Sequence, residues 1–168
     1  MKKLIFLPLT ILVVMSCTQN NDALKHKALS IATQFALQKT DQGKAFTDSN
    51  GVVSVGDSMA RFVIDPGRVF SGLADSASKN SQVWITIDSI HEQGLMPDYH
   101  LLLESDGDSL KIARVIRSDA RILGINEGII TAEVPTHDPS SPLYYCSECR
   151  DTVLFKLKGE SLILATRR

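Results

Sequence analysis

Beyond Val52 the chain keeps to a period of two. Val83, Ile85 and Ile87 alternate with Trp84, Thr86 and Asp88, and Val153, Phe155 and Leu157 alternate with Leu154, Lys156 and Lys158. Successive side chains of a strand point to opposite faces, so this period belongs to half-buried β-strands and not to helices. Runs of the same kind cover Val52–Val55, Met59–Ile64, Val83–Ile90, Tyr99–Glu104, Leu110–Ile116, Arg121–Ile125, Gly128–Val134, Thr152–Lys158 and Ser161–Ala165. Ser105-Asp106-Gly107-Asp108, Asn126-Glu127-Gly128 and Lys158-Gly159-Glu160 each put a glycine between two apolar runs, where a tight hairpin needs a positive φ. Connections this short join antiparallel neighbours, because parallel strands need long crossovers. Asp65-Pro66-Gly67 reads as a further turn, with a short helix expected over Arg68–Ala77.

One helix precedes these strands. Leu24, Ala28, Ile31 and Phe35 recur at helical spacing with Ala32 and Ala36 beside them, which predicts an amphipathic helix from Asp22 to about Lys39. Asn21 or Asp22 is the expected cap, its side-chain oxygen accepting an orphan backbone N–H. Such a stripe needs a partner surface. The expected fold is therefore α+β over 23–168, the helix packed on a curved antiparallel meander of about seven to nine short strands. The alternative is a closed, lipocalin-like barrel with the helix outside, which would enclose a ligand cavity. No repeat, low-complexity tract or linker divides the chain.

The amino terminus has a different character. Lys2 and Lys3 precede a largely apolar run from Leu4 to Met15, the n- and h-regions of a secretory signal and too short to span a bilayer. Val14-Met15-Ser16-Cys17 resembles the lipobox of bacterial lipoproteins, with an aliphatic residue three before the cysteine and a small one just before it. The resemblance covers the leader alone. It implies cleavage after Ser16, a diacylglyceryl thioether on Cys17 and acylation of the new amino terminus, palmitate being the usual label for such chains. Residues 1–16 are then the signal peptide and 17–22, with Thr18-Gln19-Asn20-Asn21-Asp22, a polar tether. Thr18 after the cysteine is similar to the outer-membrane sorting pattern of enterobacterial lipoproteins, so the outer membrane, on its periplasmic or surface side, is the expected location in a Gram-negative cell.

Cleavage would remove Lys2 and Lys3 and take the formal charge from −1 to −3. That is near neutral and without a basic block, which gives no support to a nucleic-acid partner or to a polybasic grip on anionic lipid. The membrane contact expected is the lipid on Cys17, since two or more acyl chains anchor stably where one does not.

Cys146-Ser147-Glu148-Cys149 is a C-x-x-C pair in an exported chain, where an oxidising compartment favours a disulfide. Reactive pairs of this spacing sit at a helix amino terminus, whereas here the residues from Asp151 read as a strand and Pro139-Ser140-Ser141-Pro142 as loop. A structural clasp is the expected reading. The alternatives are a redox pair, or a metal site in which His137 joins Cys146 and Cys149. His91, Glu92, Asp98 and His100 cluster around Gly94-Leu95-Met96-Pro97, and the two histidines would flank that connection as a polar loop or a weak metal or acid site. Asp106 and Asp108 lack the distal glutamate of a calcium loop. Ser54, Ser71 and Ser89 carry no nucleophile motif, and His137 and Asp138, adjacent in an extended chain, point apart. No phosphate-binding or dinucleotide fingerprint occurs, and no cofactor is expected. The chain reads as a lipid-anchored envelope protein of binding or structural type, its protein or small-molecule partner unspecified. A redox or metal role for Cys146 and Cys149, and a carrier of a small apolar ligand, are the rival functions.

Overall fold

The computed structural model describes residues 12–41, 43–56, 60–74, 80–91, 94–106, 109–144, 146 and 148–167; for residues 12–21, 60, 91, 94–96 and 167 it describes the backbone. Residues 1–11 of the expected signal peptide lie outside this range. Helix α1 (Leu12–Leu37) is followed by β1 (Lys44–Thr47), β2 (Val53–Gly56), β3 (Ala60–Gly72), β4 (Gln82–His91), β5 (Gly94–Asp106) and β6 (Ser109–Ser118). Four more strands complete the chain: β7 (Arg121–Asn126), β8 (Ile129–Pro135), β9 (Arg150–Lys158) and β10 (Ser161–Arg167). The fold is α+β and mostly β.

The strands form two open antiparallel sheets among the described residues, a six-stranded one in the order β1-β2-β3-β4-β5-β6 and a four-stranded one in the order β10-β9-β8-β7. The expected single meander is thus divided, and the lipocalin-like barrel is not formed, because β1, β6, β7 and β10 are all edges. The division falls after Ser118, whose hydroxyl accepts the N–H of Ala120 at 3.0 Å in a tight corner. Its cause is burial. The centre of the first sheet is apolar on both faces, so it needs a cover on each. Val83, Ile85 and Ile87 of β4 and Leu101 and Leu103 of β5 face α1, whereas Trp84 and Leu102, with Phe70 and Ile116, face Ile122, Ile130, Ala132 and Phe155 of the second sheet.

On α1 the fully buried positions are Ala28, Ala32 and Ala36, with Leu24, Ile31 and Phe35 packed around them. Alanine at every fourth residue lets the helix axis approach the sheet closely, and the larger side chains seal the edges. Phe35 meets Tyr99 edge-on with ring centroids 5.4 Å apart. The helix begins ten residues before the expected cap, so Asn21 and Asp22 lie inside it and the backbone is helical where a tether was expected. Extending an existing helix fixes one residue per hydrogen bond, which makes such continuation inexpensive even through a polar tract. No helix among the described residues is long and apolar enough to cross a membrane.

Two corrections concern turns. Asp65-Pro66-Gly67 does turn, with the Gly67 N–H on the Asp65 carboxylate at 2.7 Å, but as a bulge inside β3. Ile64 pairs with Ile87 and the next pair is Val69 with Ile85, leaving 65–68 opposite Thr86. Residues 68–72 are consequently strand where a helix was expected over Arg68–Ala77; 75–77 of that span lie outside the described residues. Likewise Pro97 lies within β5, at an irregularity between the pairs Ile87–Tyr99 and Ser89–Met96. A bulge is where a strand tolerates proline, which has no N–H for the ladder.

Candidate functional site

The first sheet's face toward the second sheet changes character along its length. Trp84 and Leu102 occupy one end, and Thr86, Asp88, Asp98 and His100 follow at alternate positions toward the other. The β3 bulge adds Arg68 to this polar end, since an extra segment in one strand re-aims the side chains that follow. Opposite lie Asp119 at the corner, Arg121 of β7, Pro135 of β8, Arg150 of β9 and Tyr144 from the 136–149 loop. Together with Arg68, Asp88, Ser89, Ile90 and Asp98 of the first sheet, these opposing groups line a cleft of about 250 Å³.

Its floor is a hydrogen-bonded charge cluster. Arg68 donates through Nη1 to Asp88, and its Nη2 stands 4.0 Å from Asp98. Asp98 also accepts the backbone N–H of Ser89 at 3.1 Å. Burial, and then the neighbouring Asp88 carboxylate, push the Asp98 carboxyl up to about 7, while the Ser89 N–H and Arg68 oppose the rise. Thr86 Oγ1 and His100 Nδ1 lie 3.0 Å apart beneath, and the His100 ring is 5.4 Å from that of Trp84. Burial, helped by the Arg68 charge, lowers His100 to about 4 and holds the imidazole neutral; the Ser118 backbone pulls the other way. On the far wall the Tyr144 hydroxyl donates to Asp119, and Arg150 Nη1 reaches the carbonyls of Asp119 and Glu133, each at 3.4 Å. Chemically the cleft offers guanidinium donors, a carboxyl that titrates near neutral pH and a small apolar wall.

The residues singled out in the sequence fall elsewhere, with three exceptions. Asp98 and His100 belong to the cluster, but His91 does not accompany them. His91 pairs with Gly94 at the hairpin, six residues along β5 from His100, about 20 Å at the rise of a strand. The His91 side chain and Glu92 lie outside the described residues. Ser89 contributes its backbone N–H. Asp106 is bonded by Lys111, which holds its carboxyl below the usual range, and Asp108 lies outside the described residues. Cys17 has its backbone in α1 and its side chain outside the described residues.

Cys146 and Cys149 form a disulfide, with Cα atoms 5.2 Å apart, immediately before β9. Each sulfur is therefore committed to the other, which removes both from a thiolate ligand set with His137. Among the described residues no group of three or more His, Cys, Asp or Glu could hold a metal ion. Thr136 ties this turn to the end of β8, its N–H and hydroxyl both donating to the Cys149 carbonyl. The clasp thereby closes the loop that carries Tyr144 into the cleft. Arg68, Asp88, Asp119, Arg121, Tyr144 and Arg150 were not foreseen. The one available signal was the aspartate at 88, the one acidic residue in a strand rich in apolar residues. No family model matches the chain, and no curated protein or solved structure matches it either.

Proposed function

We propose that this is a lipid-anchored protein of the bacterial cell envelope that binds a small polar ligand in the cleft between its sheets. Cys17 carries the lipid and supplies the membrane contact, with the outer membrane as the location in a Gram-negative cell. The observation that carries the binding reading is Arg68 with Asp88 and Asp98, held in a gap that apolar residues fill at its other end. Placing charges between two sheets costs desolvation, and a bare structural role is met as well by apolar side chains. Polar groups converging on a concave site are the usual mark of ligand recognition. The two sheets are open among the described residues and close no lipocalin-like barrel, which favours this reading over a carrier of an apolar ligand.

Two measurements test it. The full chain expressed in a bacterium should incorporate labelled palmitate, and Cys17→Ser should abolish the label; a Cys17→Ser chain that labels as before defeats the anchor. Thermal unfolding of the Cys17→Ser chain should rise in the presence of at least one class among small sugars, amines, amino acids and organic acids. A Tm indifferent to all four classes defeats the cleft as a binding site.

A further inference from the structure

Both sheets are antiparallel, so successive connections alternate between two ends of the molecule. Gln82 pairs with Gly72 and with Glu104, and Asp106 with Ser109 just beyond, which puts these residues at one end of the first sheet. The Gly128 N–H donates to the Leu73 carbonyl at 2.6 Å, which sets the 126–129 hairpin at this same end. The 158–161 hairpin lies there too, since β9 runs antiparallel to β8. At the opposite end His91 pairs with Ala60 and Gly94, and the Tyr144 hydroxyl donates to Asp119.

The contacts of α1 orient it between these ends. Leu24 lines a cavity of about 480 Å³ with Gly72, Leu73, Gln82 and Leu110, whereas Phe35 meets Tyr99, the partner of Ile87. The helix therefore enters at the 72–82 end and runs toward the other. The cleft belongs to that other end. Asp88 on its floor stands six residues along β4 from Gln82, about 20 Å at the rise of a strand. Five residue steps separate Cys17 from Asp22, all of them inside α1. As helix they span about 8 Å, and fully drawn out about 18 Å.

We propose that the lipid on Cys17 sets the 72–82 end against the bilayer surface and turns the cleft away from it, toward the aqueous compartment. The proposal rests on the reading of Cys17 as the lipid anchor. Bringing the cleft onto the headgroups requires the body to lie on its side. That bends α1 between Cys17 and Leu24, where no proline or glycine relieves the backbone hydrogen bonds. The facing turns sit close to the membrane without gripping it. Asp106, Glu127 and Glu160 share that end with Lys111 and Lys158, which offers anionic headgroups no basic patch. So placed, the cleft meets water-borne solutes and not the headgroups of the membrane that holds the anchor.

The test is energy transfer in the palmitoylated full chain, reconstituted into phosphatidylethanolamine–phosphatidylglycerol vesicles with a dansyl group on a fraction of the headgroups. Trp84, the one tryptophan of the chain, lies buried under the cleft cluster, where its fluorescence reports on the cleft, and it gives every sample a common background. Asn126→Trp adds an exposed donor at the 126–129 hairpin, and Pro139→Trp adds one in the exposed loop after β8. Transfer falls steeply with distance, so Asn126→Trp should transfer several times as much as Pro139→Trp. Lys158→Trp and Leu143→Trp, a second exposed pair, should rank the same way. Equal transfer from the two ends, or more from the loop, in protein that carries palmitate overturns the orientation and leaves the anchor standing. Protein that takes up no palmitate and stays off the vesicles overturns the anchor, and the orientation with it.

Discussion

At the scale of single residues, the two shifted groups of the cleft pull stability in opposite directions with pH. His100 has a folded pKa of about 4 against an ordinary 6.5, so the unfolded chain binds more protons between those values and stability there rises with pH. Asp98 has a folded pKa of about 7 against 3.8, so the folded chain binds more protons and stability falls as pH rises across that window. Over about pH 4 to 6.5 the two slopes oppose each other. Urea unfolding of Asp98→Asn should therefore show stability rising from pH 4 to 6.5. In His100→Leu it should fall from pH 4 to 7. A parallel profile in both variants would contradict the assignment. Little of this was legible beforehand. Asp98 and His100 stood out as titratable neighbours, but their partner Arg68 did not. Its position depends on a bulge that skips residues 65–68, and the Asp-Pro-Gly before it is equally the signature of a turn that ends a strand.

Among the elements, α1 shows how periodicity locates a buried stripe without resolving its centre. Apolar weight favours Leu24, Ile31 and Phe35, yet the line of closest approach runs through Ala28, Ala32 and Ala36. Ala32→Leu should cost about 1–3 kcal/mol in denaturant unfolding, because a close-packed contact must open to admit it; a neutral result would mean the helix sits loosely. The hairpin turns at 126–129 and 158–161 were legible, since a two-residue loop leaves few choices of backbone, while 107–108 of the third expected turn lie outside the described residues. At Asn126–Ile129 the loop residues Glu127 and Gly128 have φ of 49° and 78°, the pattern of a type I′ turn. Glutamate pays a Cβ penalty there that asparagine largely escapes, so Glu127→Asn should raise stability by about 0.5 kcal/mol or more. A drop in Tm would show that the glutamate has a role beyond the turn. The clasp at 146–149 was legible too, as a pair of cysteines three apart before a strand. Closing so small a loop constrains the unfolded chain little, so Cys146→Ser with Cys149→Ser should lose about 2 kcal/mol or less. Loss of the β7–β10 sheet in that variant, followed by circular dichroism, would contradict this.

For the whole molecule, alternation identified strands but not how many layers they make. Val83–Ile90 reads as a strand with one apolar and one mixed face; in the fold both faces are covered, by α1 and by the second sheet. Trp84 and Thr86 serve equally well on a surface or between sheets, so nothing local distinguishes one sheet from two. The position of the break depends on the Ser118–Ala120 corner, which has no glycine or proline to announce it. The cleft is lined from both sheets, and for that reason its residues are scattered from Arg68 to Arg150. Its charged floor is the central claim: Arg68, Asp88 and Asp98 are there for a ligand and not to hold the sheets together. The direct measurement is urea unfolding of a chain in which Arg68→Met, Asp88→Asn and Asp98→Asn are combined, alongside its Trp84 response to the small solutes that move the parent. Neutralising a cluster of this kind is often harmless or stabilising by about 1–4 kcal/mol. The variant should be at least as stable as the parent and should have lost the response. A variant that loses several kcal/mol, beside a parent whose Trp84 answers to no solute, would make the cluster a structural bond between the sheets and contradict the account.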